Sequence, residues 1–251
     1  MAELERPGAE LATRPLHFFW VVDCSGSMSI DGKIGTVNNA IQECIPEMAQ
    51  AADNNPNTQL LIRALQFSSG ASWLTANPVP VEDYSWDPLE TNGLTDMGKA
   101  FELLAAQLGM PPMPSRALPP VIVLLSDGQP TDDYKNGLSK LKALPWFKKA
   151  VKIAISIGRD ADDEVLTEFT GNSELVLQAN NSTALVKMIK WASTTASMVS
   201  APSSKVFNSQ PGPTGTAIVN DPFAQGNNGA PLVLDMSNIP NPDDFDDEVV
   251  W

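Results

Sequence analysis

The sequence predicts an α/β protein with a doubly wound, mostly parallel six-stranded sheet and helices on both faces. Two observations support this prediction. Short apolar runs such as LHFFWVV (16–22) and VIVLLS (121–126) have the length and composition of strands that are buried on both faces. These runs alternate with segments of helical periodicity, and such alternation implies parallel strands joined by right-handed crossovers.

Each element is predicted from its pattern of apolar residues. The predicted strands lie at 16–22, 58–67, 71–75, 121–126, 151–158 and 174–177, and the predicted helices lie at 33–53, 97–108, 135–143, 160–170 and 185–196. The strand at 71–75 follows Ser-Ser-Gly, so we expect it to pair antiparallel at an edge. Pro46 lies inside the first helix and has no backbone donor, so we expect a kink or an early end there.

The chain divides into three predicted parts. These are an N-terminal extension (1–15), one α/β domain (16–198) and a tail (199–251) that is rich in Pro, Asn and Gly and ends in the acidic run NPDDFDDEVVW. We expect the tail to be extended and not a second domain. The start, MAELERPGAE, is polar without an apolar signal segment, and no run approaches the roughly 20 apolar residues of a membrane span. A cytoplasmic location is therefore expected.

Composition limits the partners and the redox chemistry. The chain has 16 Lys+Arg against 30 Asp+Glu, a formal net charge of −14. Nucleic acid and anionic membrane surfaces require a basic face, so neither is an expected partner. Two cysteines, Cys24 and Cys44, are too few for a disulfide framework, and we expect both to be reduced thiols.

Three loops carry hard oxygen donors at the ends of predicted elements. DCSGSMS places Asp23, Ser25 and Ser27 after the first strand, TNGLTDMGKAF places Thr95 at a helix start, and DGQPTDD places Asp127 after VIVLLS. Doubly wound sheets bind ligands at the carboxyl ends of their strands. Two carboxylates and three hydroxyls suit Mg²⁺, Mn²⁺ or Ca²⁺. With so few direct carboxylates the ion stays electropositive and can accept an acidic oxygen from a partner.

The same residues carry a family resemblance. DCSGS resembles the D-x-S-x-S motif of von Willebrand factor A domains, the metal-ion-dependent adhesion site, and the resemblance covers about residues 16–198. Thr95 in GLTDMG and Asp127 in LLSDG fall where that family's later ligands belong. The resemblance implies that the serines and the threonine bind the ion directly and that the aspartates bind largely through water. It also implies Mg²⁺ by preference and a protein partner whose acidic residue completes the coordination.

The start HFFWVVDCSGSM resembles a narrower group, the bacterial cytosolic A-domain proteins related to tellurite-resistance proteins. Members of that group are often encoded beside a PP2C-type phosphatase and a Ser/Thr kinase. This resemblance implies those two partners and a stress or defence system linked to phosphorylation. Cys24 at the first variable position, Asp96 after the threonine and the long proline-rich loop depart from the family pattern, but none of them removes a ligand.

We expect no enzymatic activity. His17, the only histidine, lies inside the first predicted strand as a core residue, so Ser25 and Ser126 have no activating base. Asp23 ends a strand like the nucleophile of haloacid-dehalogenase enzymes, but the second aspartate of that signature is replaced by Ser25. Three alternatives stay open: an accessory subunit that couples an ATPase to its client in a chelatase-like system, an unrecognised Mg²⁺-dependent hydrolase, and a secreted adhesion domain, which the missing signal argues against.

Several other polar residues have simpler interpretations. Asp31, Asp132 and Asp133 are expected to be solvated loop carboxylates, and Thr95 also fits a helix N-cap. The tail mixes apolar and acidic residues, which suggests a segment that binds a partner or a neighbouring copy. One hypothesis is that Asp246 or Asp247 occupies the open position of the metal, in cis or in a neighbouring copy.

Overall fold

The computed structural model describes residues 13–55, 57–158, 161–200, 216–219 and 232–235, with the backbone alone described for 195–200 and the last two segments. The strands are β1 Arg14–Asp23, β2 Thr58–Ser68, β3 Gly70–Trp73, β4 Val79–Pro80, β5 Val121–Ser126, β6 Val151–Ile157, β7 Val176–Ala179, β8 Thr216–Val219 and β9 Leu232–Asp235. The helices are α1 Lys33–Asp53, α2 Met97–Gln107, α3 Tyr134–Ala143, α4 Pro145–Lys149, α5 Asp163–Thr170 and α6 Ser182–Ser200. Short 3-10 helices span Gly26–Gly32, Val81–Asp83 and Ser173–Leu175.

The main sheet confirms the predicted fold class. Its strand order is β3-β2-β1-β5-β6-β7, and every pair in that path is parallel except β2 with β3. The antiparallel strand lies at the edge, as expected. A two-residue strand, β4, adds a second antiparallel pairing to β2 that the sequence did not predict.

Two hydrophobic cores lie on opposite faces of the sheet. Successive side chains of a strand point to opposite faces, and β1 shows this directly. Phe18 and Trp20 pack with α1 and α6, whereas Phe19 and Val21 pack with α2, α3, α4 and α5. All four side chains are fully buried. Burying such a side chain contributes about 1.5–3 kcal/mol each, so β1 is anchored from both sides and its carboxyl end is held firmly.

The expected early end at Pro46 does not occur, because α1 continues through this residue to Asp53. Pro46 is exposed, while Cys44, Ile45 and Met48 on the inner face are buried. The missing backbone donor therefore lies on the solvent side, where the carbonyl of Gln42 can bind water. Packing of the inner face outweighs the loss of one helical hydrogen bond, which typically costs about 3 kcal/mol.

Other elements refine the sequence-based expectations. The short helix α4 was not predicted, and α6 extends to Ser200. Strands β8 and β9 form an antiparallel pair within the region predicted as an extended tail. The other residues after Ser200, including Asp246 and Asp247, and residues 1–12 lie outside the described part, so the three-part division stays a prediction. Cys24 and Cys44 are buried free thiols, as expected. Within the described segments, none of the helices is both long and apolar enough to cross a membrane.

Candidate metal centre

The first and third predicted loops meet at the carboxyl ends of two neighbouring strands. β1 ends at Asp23 and β5 ends at Ser126, and the two strands pair in parallel up to Val22 and Leu125. Ser126 Oγ donates a hydrogen bond of 2.6 Å to Asp23 Oδ2. The backbone N–H of Ser25 donates to the other oxygen, Oδ1, at 2.8 Å. Both oxygens of this buried carboxylate are therefore fixed by neighbouring residues.

Hydroxyl contacts connect three of the predicted ligands, and Thr95 lies near them. Ser25 Oγ lies 3.0 Å from Ser27 Oγ, and Ser27 Oγ donates to Asp127 Oδ1 at 2.7 Å. Thr95 Oγ1 and Ser27 Oγ both border Gly128, since a Cβ added there would lie 3.7 Å from each oxygen. The structure thus brings Asp23, Ser25, Ser27, Thr95 and Asp127 together from three loops. Their role as metal ligands stays a prediction.

Hydrogen bonds between the loops hold the middle loop in place. Thr95 N–H donates to Thr131 Oγ1 at 3.0 Å, and Thr131 N–H donates to the Thr95 carbonyl at 2.9 Å. On the other side, Gly26 N–H donates to the Gly93 carbonyl at 3.2 Å. The position of Thr95 is therefore set by both neighbouring loops.

Helices α2 and α3 approach each other closely beside this loop. A Cβ on Gly98 would lie 2.8 Å from the Asp133 carbonyl oxygen, and a Cβ on Gly137 would collide with the Gly98 carbonyl oxygen. These neighbours are backbone atoms, which cannot move aside like the end of a flexible side chain. Glycine at both positions keeps the loop of Thr95 close to the loop of Asp127.

The acidic residues of the third loop also cap helices. Asp133 is exposed, as expected, whereas Asp132 is half-buried. Asp132 accepts from Gly98 N–H at 2.8 Å and from Lys99 N–H at 3.0 Å, at the start of α2. Asp133 accepts from Asn136 N–H at 3.3 Å and caps α3. These carboxylates meet the free N–H groups and the positive end of each helix dipole.

Two further acidic residues, Asp31 and Asp96, occupy a turn and a helix N-cap position. Asp31 is exposed, as expected, and adopts a left-handed conformation with φ 51°. The N-cap position of α2 belongs to Asp96 and not to Thr95. The alternative interpretation of Thr95 as that N-cap is therefore wrong, although its position at the helix entrance was foreseen.

Ser27 is the member of the cluster that is most accessible to solvent. Asp23, Ser25, Thr95 and Asp127 are buried, and Ser27 is half-buried. Burial raises the pKa of Asp23, and the nearby charge of Asp127 raises it further, while hydrogen bonds from Ser126 and Ser25 act in the opposite direction. A positive charge beside these carboxylates would favour their ionised forms.

One cation already lies beside the cluster, and the sequence analysis missed it. Lys33, the first residue of α1, donates from Nζ to Asp127 Oδ2 at 2.9 Å, and the two side chains are 9% and 0% exposed. Ser126 and Thr131 were also missed as positioning residues. Their proximity to Asp127 in LLSDGQPT was the available signal, whereas no local pattern pointed to Lys33.

The donor chemistry of the cluster fits a hard divalent ion. No group of three or more His, Cys, Asp or Glu side chains that could hold a metal occurs among the described residues. Any ion at this centre would depend on three hydroxyls besides its two carboxylates. Hard oxygen donors suit Mg²⁺, Mn²⁺ or Ca²⁺, and the absence of histidine and thiolate from the set disfavours a zinc site of the Cys/His type.

His17 is a core residue, as predicted. It is 4% exposed, its ring stacks on Phe19 with centroids 5.9 Å apart, and neither ring nitrogen has a hydrogen-bond partner. Burial lowers its pKa to about 4, so the ring is neutral at pH 7. It packs on the α2 side of β1, six residues before Asp23, and so supplies no base to the cluster.

The fold is that of a von Willebrand factor A domain, as comparison with solved structures shows. A von Willebrand factor type A protein from Catenulispora acidiphila matches with a TM-score of 0.56 at 15% identity, covering 73% of this chain and 43% of that one. Proximal thread matrix protein 1 from the mussel byssus, solved with a zinc-occupied MIDAS motif, matches with a TM-score of 0.52 at 18% identity over 73% and 46% of the two chains. The pilus adhesin SpaC from Lactobacillus rhamnosus GG gives 0.58 at 14% identity over 72% and 30%.

These matches concern the shared domain alone. This chain spans less than half the length of each of those three structures. No protein-family model and no curated protein matches the sequence. The comparisons therefore establish the fold, and the function has to be argued from the site.

Proposed function

We propose that this chain binds a protein partner through a divalent ion held by Asp23, Ser25, Ser27, Thr95 and Asp127. The observation that supports this most is the convergence of the donor oxygens. Ser27 Oγ lies 3.0 Å from Ser25 Oγ and 2.7 Å from Asp127 Oδ1, and Ser27 is the one half-buried member of the set. A bound ion would supply a positive charge with an open position for a carboxylate oxygen of the partner.

The surface around the cluster also suits a protein partner. Ile30 and Leu94 are 56% and 58% exposed, and with Met110 they are the exposed large hydrophobic residues of the described chain. Ile30 lies three residues after Ser27, and Leu94 directly precedes Thr95. Ile30 is followed by two successive residues in the left-handed conformation, Asp31 and Gly32, which turn the chain sharply there. Exposed apolar side chains beside a polar centre are typical of interaction sites.

Mg²⁺ is the ion we propose, with Mn²⁺ or Ca²⁺ as substitutes. The hard oxygen set and the small number of carboxylates favour Mg²⁺, because this ion is commonly held by one or two carboxylates while it keeps several waters. A zinc-occupied motif in the mussel protein makes a divalent ion plausible at the equivalent place here. Binding titrations with Mg²⁺, Mn²⁺, Ca²⁺ and Zn²⁺ would rank the four metals by affinity.

The proposed activity is binding and not catalysis. Ser25 and Ser126 have no histidine beside them, since His17 packs in the core against Phe19. The Cys24 thiol is also a poor nucleophile, because burial and the charge of Asp23 raise its pKa to about 12. A phosphatase and esterase screen with Mg²⁺ checks this proposal, and turnover that disappears in Ser27→Ala would contradict it.

We further propose, from the sequence resemblance, that binding serves a phosphorylation-linked stress or defence system in a bacterial cytoplasm. A PP2C-type phosphatase and a Ser/Thr kinase are the partners this resemblance suggests. The acidic end of the tail, with Asp246 and Asp247, is another source of the partner carboxylate. Unchanged oligomeric state and partner affinity after deletion of residues 199–251 would exclude the tail.

The first experiment tests metal binding itself. Isothermal titration of Mg²⁺ and Mn²⁺ into the full chain should show one site, and Ser27→Ala should weaken it by about tenfold or more, because a direct oxygen donor is lost. Ser29→Ala is the matched control. Ser29 lies in the same loop, is exposed, and donates to the Gly26 carbonyl rather than to the cluster. Equal affinities in both variants would refute the assigned ligand set.

The second experiment tests the partner. Wild type, Ser27→Ala and Asp23→Ala are used as bait in lysate of the native host, each with Mg²⁺ and with EDTA. A protein retained by metal-loaded wild type alone would support the proposal. A co-purifying ATPase would favour the chelatase-like alternative. The same set of proteins under every condition would mean that binding does not use the metal centre.

A further inference from the structure

Lys33 occupies an unusual place for a lysine. It starts α1, its side chain is 9% exposed, and its ammonium lies 2.9 Å from Asp127 Oδ2. Lysine is almost never this buried without a charged partner. Asp127 uses its other oxygen to accept from Ser27, so one carboxylate joins a candidate ligand hydroxyl and a fixed positive charge.

Helix stability does not explain the lysine. The amino end of a helix carries a partial positive charge, so a cation there is unfavourable, and the first turn of α1 contains no acidic residue to offset it. The residue before it, Gly32, has φ 71° and provides no side-chain cap. The interaction that compensates for this placement is the ion pair with Asp127, on a loop 94 positions away.

The ion pair changes the charge balance of the cluster. Asp23 and Asp127 alone would give two negative charges, which a divalent ion would neutralise completely. With Lys33 beside them, the loaded cluster retains one net positive charge. A neutral centre attracts an external carboxylate weakly, whereas a net positive one attracts it strongly, especially where burial limits screening by salt.

We propose that Lys33 sets the specificity of this centre by weakening its hold on the divalent ion and strengthening its attraction for an acidic partner group. This inference rests on the proposed function and adds a residue outside the expected ligand set. The lysine repels the incoming ion and competes for Asp127, and the same charge then favours a carboxylate at the open position. One residue thus affects the two binding steps in opposite directions.

The test uses the full chain with Lys33→Met, which keeps the length of the side chain and removes its charge. Lys33→Arg keeps the charge and is the matched control. Titration calorimetry with Mn²⁺ should show about tenfold tighter metal binding in Lys33→Met and near wild-type binding in Lys33→Arg.

The second readout is acetate binding to the Mn²⁺-loaded protein, followed through the relaxation that bound Mn²⁺ causes in water protons. Acetate that replaces a bound water lowers this relaxation, and Lys33→Met should need about tenfold more acetate for half of the effect. Lys33→Gln, which keeps a donor toward Asp127, repeats both measurements if Lys33→Met does not fold. The opposite signs of the two effects are the signature of the proposed role.

Each other outcome has a distinct meaning. Metal binding that weakens or stays unchanged in the folded neutral variant would overturn the inference and leave Lys33 a structural partner of Asp127. Tighter metal binding with unchanged acetate affinity would also overturn it, since the specificity effect would be missing. If wild type binds neither Mn²⁺ nor Mg²⁺, the proposed function itself fails, and this result is separate from any effect of Lys33.

Discussion

Ser126 Oγ donates a 2.6 Å hydrogen bond to Asp23 Oδ2 and thereby joins the ends of the two central strands β5 and β1. This contact orients a candidate ligand and involves a residue that is not among the candidate ligands. It shows that the buried carboxylate is oriented by the sheet and not by the loops alone. Ser126 is therefore a positioning residue whose loss should be felt at the metal.

Replacement of this serine is the first prediction. Ser126→Ala should weaken Mg²⁺ binding by about tenfold and destabilise the fold by about 1.5–3 kcal/mol, because a buried carboxylate loses a donor. Ser156 pairs with Ser126 in the neighbouring strand and donates to Asp163 at 2.7 Å, away from the cluster. In calorimetry and urea denaturation, Ser156→Ala should affect stability and leave metal affinity unchanged. Equal metal affinities in the two variants would argue against a positioning role for Ser126.

His17 predicts a specific dependence of stability on pH. Its pKa falls from 6.5 to about 4 on burial, so the unfolded chain binds its proton more readily than the folded chain. The neutral ring is fully tolerated above pH 6.5, and the free energy of unfolding should decrease as the pH falls from about 6.5 towards 4, by up to about 3 kcal/mol. His17→Phe should remove this loss.

The comparison between wild type and His17→Phe separates the effect of His17 from that of other titrating groups. Burial raises the pKa of Asp23, so that residue contributes stability in the opposite direction as the pH falls, but it is present in both proteins. Urea denaturation at pH 7.5 and pH 5 should therefore show a gap between wild type and His17→Phe that widens at the lower pH. Parallel losses in the two proteins would mean that His17 is not the responsible group.

The contact between α2 and α3 predicts an effect of Gly137 on the neighbouring loop of Thr95. Gly137→Ala would place a methyl against the Gly98 carbonyl oxygen and 3.0 Å from Phe101 Cβ, so it should cost about 1–3 kcal/mol and displace the loop of Thr95. Metal affinity should fall with it. Gly35→Ala in α1 is the control, since a Cβ there meets nothing within 4 Å, and it should stabilise by about 0.5–1 kcal/mol. Thermal melts with and without Mg²⁺ measure both effects.

The apolar residues beside the cluster predict a separation of metal binding from partner binding. Ile30→Ser combined with Leu94→Ser should leave Mg²⁺ affinity unchanged and weaken a metal-dependent partner by about tenfold or more, because apolar contact area is lost. Met110→Ser is the control. Met110 is 66% exposed but follows the opposite end of α2. Similar partner affinities in all three proteins would place the interface elsewhere.

The sequence predicted the fold and the five-residue cluster for an identifiable reason. Each strand at the centre of the sheet is a short apolar run, and each candidate ligand follows such a run or lies just before a helix, so the local pattern indicates its place. The continuation of α1 through Pro46 depends on how strongly its inner face packs, and a local pattern does not show the strength of that packing. Lys33 binds a residue of another loop and Asp132 binds the start of another helix, and local patterns do not show where a long side chain or a capping carboxylate reaches.

The backbone hydrogen bonds that join Gly26 to Gly93 and Thr131 to Thr95 have a consequence for kinetics. Loops that are already tied to one another lose little conformational entropy when a partner arrives. The entropic cost of docking then falls mainly on the partner. The association rate should be set by diffusional encounter, without a slow rearrangement of this chain. Differences in affinity among its complexes would accordingly arise mainly from their dissociation rates.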